Sequence, residues 1–178
     1  MKRKLLLPVF ILIFPLALFC QDLPKPVAPP PAPPALPKLV TYMCFYLPVV
    51  STNSTKTTWN FNGTFTIGLA SGINILYSDR FGFSFDIGAA VSTTNGLSKV
   101  TNVVFDPGPI FRLRHGYSII TRIALESAGR FGESTVFAKA ITSSKTNSLF
   151  VALGIPIRFG NNLPASIGAT LFFGIAFK

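Results

Sequence analysis

Charge is scarce in this chain: only 12% of its 178 residues are Asp, Glu, Lys or Arg. A soluble fold holds its exterior in water largely with those side chains, so this composition argues against one. Cysteine is nearly absent as well. Cys20 falls at the end of a leader-like segment, which leaves Cys44 without a partner and excludes both a disulfide framework and a cysteine metal cluster. The single histidine, His115, and six scattered acidic residues offer no metal-ligand set, so neither metal nor other cofactor is expected. Hydrolytic or acyl-transfer chemistry would need a Ser, a His and a carboxylate in reach. Only His115 could serve, it lies in a turn between Arg114 and Gly116, and no GxSxG elbow occurs, so no catalytic residue is assigned and the chain reads as a non-enzyme. Beyond the leader, no apolar run reaches the roughly 18 residues of a membrane-crossing helix.

What the chain does have is a two-residue alternation over residues 59–77 that resumes over 81–91. Odd positions carry Trp59, Phe61, Phe65, Ile67, Leu69, Ile73, Ile75 and Tyr77, while Asn, Thr, Gly and Ala fill the even ones from 60 to 74. Successive side chains of a strand point to opposite faces, so this stretch has one apolar face and one small, polar face. The period alone does not say which face points outward. The composition of the polar face does: Gly, Ser, Thr, Asn and Ala suit the crowded interior of a small barrel, and Phe, Ile and Leu then meet something equally apolar.

Residues 1–20 read as a signal peptide, with the basic Lys2, Arg3 and Lys4 ahead of an apolar run and a polar Gln21-Asp22 after it. Two outcomes are open, cleavage after Cys20 or lipidation of Cys20. Residues 21–38 form a Pro-rich linker. Proline fixes φ and donates no hydrogen bond, so the linker should be an extended, semi-rigid tether reaching on the order of 45 Å into the periplasm, with a periplasmic partner as one role for it. Without the leader's three basic residues the formal charge of +10 becomes about +7. Those charges are scattered and the chain is exported, which argues against nucleic acid and for anionic lipid and lipopolysaccharide as counter-charges.

Residues 39–178 divide into eight expected strands, near 39–50, 59–77, 81–93, 102–113, 117–126, 134–142, 148–159 and 166–177. Polar loops are expected at 51–58, 94–101 and 127–133, alternating with shorter turns, and Pro107 and Pro109 should interrupt the fourth strand's ladder. The expectation is an all-β, antiparallel, up-and-down transmembrane β-barrel. An even strand count leaves both ends on the periplasmic side, with Trp59 and Phe159 in an outer aromatic girdle and Tyr77, Phe81, Tyr117 and Phe177 in an inner one. Asp86, Arg112, Arg122, Glu126 and Lys139 are assigned to the lumen as an ion-pair network. Lys139 is included because a lysine on the lipid face near the midplane would cost about 2–4 kcal/mol, which turns Val136, Ala138 and Ala140 outward.

The last strand, with Ala169, Leu171, Phe173, Ile175 and Phe177 alternating with Thr170, Phe172, Gly174 and Ala176, resembles the closing strand of bacterial outer-membrane barrels. Over residues 39–178 the chain resembles the small eight-stranded OmpA-like or OmpX-like class. The resemblance implies that Phe173, Ile175 and Phe177 form the signal read by the barrel assembly machinery, although Lys178 follows the aromatic here. It also implies a bacterial outer-membrane location. The expected function is that of a non-enzymatic barrel with an envelope-structural or surface-interaction role. The alternative is a small, porin-like pore or lipid-binding barrel, and a lipid-modifying enzyme stands third.

Overall fold

Alternating strands leave unpaired backbone N–H and C=O groups along both edges of a sheet, and in this chain the sheet satisfies them by closing on itself. The computed structural model describes residues 36–178; the signal peptide and all of the Pro-rich linker before Leu36 lie outside the described residues. The strands are β1 (Lys38–Asn53), β2 (Thr57–Trp59), β3 (Thr64–Leu76), β4 (Phe81–Thr94), β5 (Leu97–Arg112), β6 (Tyr117–Glu126), β7 (Arg130–Ser143), β8 (Asn147–Gly160) and β9 (Ser166–Phe177). They form one antiparallel sheet in the order β2-β1-β3-β4-β5-β6-β7-β8-β9, and pairing of β1 with β9 closes it. β2 is a three-residue strand at one rim, so the wall has eight staves. Each stave is at least as long as the 9–11 residues that cross a bilayer's apolar core. Lys38 and Phe177 share one end, called the near end below; Asn53 and Ser166 mark the far end.

The stretch 59–77 is not one strand, as the unbroken alternation suggested. Residues 60–63 leave the ladder, with Phe61 and Gly63 at φ of 74° and 77°. Asn60 bridges the break: its side-chain amide accepts from the Thr66 N–H and donates to the Thr66 carbonyl, both at 2.8 Å, standing in for a ladder residue. β2 and β3 still run along the same edge of β1. The expected loops are also largely strand. β1 continues to Asn53 before turning into β2, and β7 begins at Arg130. β4 reaches Thr94 and joins β5 through the two-residue turn Asn95-Gly96, both with positive φ, the geometry that suits the twist of a tight hairpin. Long loops are therefore absent at both ends of the described barrel.

The faces divide by parity. Leu69, Ile87, Ile123, Leu153, Leu171 and Phe173 are exposed on the outside, whereas Ala70, Ser84, Asp86, Ala124, Ser134 and Thr170 are buried inside. The small lumen residues make room for large ones: a Cβ at Gly68 would lie 2.0 Å from the Tyr46 ring and one at Gly72 2.3 Å from that of Tyr42. The six girdle aromatics are all exposed, Trp59 and Phe159 at the far end and Tyr77, Phe81, Tyr117 and Phe177 at the near end. Tyr77 stacks beside Phe81, which packs on Phe111 at 5.4 Å between ring centres. The β5–β6 ladder is interrupted between Phe105↔Leu125 and Ile110↔Ile120, where Pro107 and Pro109 supply no N–H.

Candidate functional site

The lumen contains two arginine-centred networks. Arg122 of β6 donates to Asp86 Oδ2 on β4 at 3.0 Å, to Ser84 Oγ at 2.8 Å and to the Tyr42 hydroxyl on β1 at 2.6 Å. In the ring of staves β6 stands directly across from β1, so this side chain spans the lumen from wall to wall. All four residues are buried, Arg122 at 4% exposure and Ser84 at 0%. A buried arginine with a carboxylate and two hydroxyls answers most of the desolvation that an isolated ion would suffer there.

The second network lies toward the far end. Arg158 of β8 donates from Nε to Glu126 Oε1 at 2.5 Å, from Nη2 to Ser134 Oγ at 2.9 Å and from Nη1 to the Glu133 carbonyl at 2.7 Å. Arg130 caps it, donating to the Arg158 carbonyl at 3.0 Å and to Ser166 Oγ at 3.1 Å. Asp106 faces Asp86 across the β4–β5 ladder.

Of the five residues assigned to the lumen cluster, Asp86 and Arg122 meet, and Glu126 belongs to the separate Arg158 network. Arg112 stands at the end of β5 and lines the near mouth. Lys139 is not in the lumen. Val136 and Ala138 pack inside, and Lys139 lies outside, opposite Tyr117 in the β6–β7 register. The midplane cost does not arise because Tyr117 is the first residue of β6: the ammonium sits 4.0 Å over the Tyr117 ring and donates to the His115 carbonyl at the rim. His115 itself occupies an exposed left-handed turn position. Arg130, Arg158 and Asp106 escaped the sequence reading although all share the inward, even parity of Asp86 and Arg122.

Between the Arg122 layer and the near end the lumen changes character. Leu76, Ile110, Ile120, Val136 and Ala152 form a buried apolar cluster, and a cavity of about 540 Å³ opens beside them, bounded at its mouth by Lys38, Arg112 and Lys178.

A closed barrel of eight antiparallel staves, apolar outside and bridged inside by buried arginines, defines the class of small transmembrane β-barrels. No protein-family model and no curated protein sequence matches the chain. Solved structures do match its shape. A de novo designed transmembrane β-barrel superposes with a TM-score of 0.51 at 11% identity, over 81% of this chain and 97% of the design. Ail, the attachment invasion locus protein of Yersinia pestis, gives 0.50 at 8% identity, over 78% of this chain and 97% of Ail. At such identities the likeness is one of fold.

Proposed function

We propose that this chain is a non-enzymatic barrel of the bacterial outer membrane, closed to ions, with a structural role in the envelope. The observation that carries the reading is Arg122 crossing the lumen to Tyr42 on the opposite wall while paired with Asp86 on the way. With Arg158 and Glu126 forming a second bridge nearer the far end, an ion would have to break two buried networks in series. The short connections favour a wall over a displayed binding surface. With a signal peptide and tether ahead of β1, the near end faces the periplasm. Lys56 and Lys99, exposed at the far end, then meet the phosphates of lipopolysaccharide.

Planar-bilayer recording tests this. The full chain, refolded and verified as a heat-modifiable band, is expected to give no discrete channel openings. Reproducible unitary steps would overturn the closed-wall reading in favour of a pore.

A further inference from the structure

A lumen filled by side chains needs small and polar residues, and the far half of this barrel follows that rule. The near half does not. Inward positions there carry Val40, Leu76, Ile110, Ile120, Val136 and Phe172, from six different staves, and these walls leave the 540 Å³ cavity between them. Its volume is within the 300–1,000 Å³ typical of small-molecule sites. Water against such walls is unfavourable by roughly 25 cal/mol for each Å² of apolar surface, so an apolar guest is favoured over solvent. The inner end is stopped by the Arg122–Asp86–Tyr42 layer, so the cavity is blind. Its lining along β1 runs from Lys38 to Cys44, about 20 Å of strand at 3.3 Å per residue. The mouth has a different chemistry. Lys38, Arg112 and Lys178 line it from three strand ends, against one acidic side chain, Asp79.

We infer that the near half of the lumen is a binding site for a single-chain anionic amphiphile, its alkyl tail lodged against Leu76, Ile110, Ile120 and Val136 and its head held at the mouth by Lys38, Arg112 and Lys178. A diacyl lipid would need a second tail in the same blind space, and a neutral alcohol would forgo the basic mouth. The inference rests on the folded barrel and not on whether it conducts, so the bilayer recording and the following experiment fail independently.

The full chain with Trp59→Phe and Phe150→Trp, which moves the one tryptophan to the cavity wall, is inserted in nanodiscs of zwitterionic diacyl lipid and titrated with ω-bromododecanoate. Saturable quenching is expected, weakened about ten-fold in affinity when Lys38, Arg112 and Lys178 are changed to Gln. Filling the cavity by Ala138→Phe should abolish the saturable component; Ala152→Leu is the second filler, and each counts only where the band remains heat-modifiable. Displacement by dodecanoate alone supports the site and names a fatty acid; displacement also by dodecanoyl lysophosphatidylglycerol supports it and extends it to lysolipids. Linear, unsaturable quenching, equal quenching by ω-bromododecanol, or indifference of both folded fillers would overturn it.

Discussion

Replacing Arg122 with Met is expected to destabilise the barrel by about 3–5 kcal/mol, the usual penalty for removing one partner of a buried ion pair. The size follows from what is left behind. Asp86 is buried, faces Asp106 on the adjacent stave and has Arg122 as its ion-pair partner, so its carboxylate would remain in the lumen uncompensated. The Tyr42 hydroxyl and Ser84 Oγ lose the same donor. Urea unfolding from lipid vesicles, followed by the emission of Trp59 and by the heat-modifiable band, reads the loss. Changing Asp86 to Asn together with Arg122→Met should recover much of it, because the charge and its partner then leave together. Equal stabilities for the single and double variants would show that the two side chains do not act as a pair.

The second large effect concerns the outer face. Leu69, at the middle of β3 and 47% exposed, should tolerate Arg only at a cost of about 2–4 kcal/mol, because near the bilayer midplane the guanidinium enters hydrocarbon. Leu97, 80% exposed at the far-end hairpin, should accept the same change for less than about 1 kcal/mol. The contrast is the informative quantity. On a water-exposed barrel wall both substitutions would be near neutral, since a surface leucine facing water gains nothing from staying apolar.

Much of this architecture is legible in the letters, because the side-chain period of a strand is 2 and the lumen of a small barrel admits little besides small or polar residues. The even parity that puts Asp86, Arg122 and Glu126 inside also puts Asp106, Arg130 and Arg158 there. Arg130 was hidden in a stretch read as loop, and no spacing in the sequence says which arginine will meet which acid across the lumen. Lys139 went wrong for the opposite reason: an energetic argument valid at the midplane was applied to a residue at the rim, whose depth is set by the Tyr117 register and not by its neighbours in sequence. The break after Trp59 was masked by Phe61 and Phe65, which keep the odd parity aromatic on either side of it; the signal the sequence did offer is Asn62-Gly63, a turn dipeptide whose glycine takes an odd position. The near-end cavity could not be read either. Leu76, Ile110, Ile120 and Val136 are ordinary apolar letters until the closed sheet turns them toward one another.

The central claim is that the apolar face of this sheet meets lipid. Tryptophan at Leu69, in a Trp59→Phe background and in vesicles of lipids brominated at defined depths, measures that directly. The account predicts strong quenching that is greatest with bromines deep in the acyl chains. Emission indifferent to brominated lipid, from a protein recovered in the soluble fraction, would contradict it.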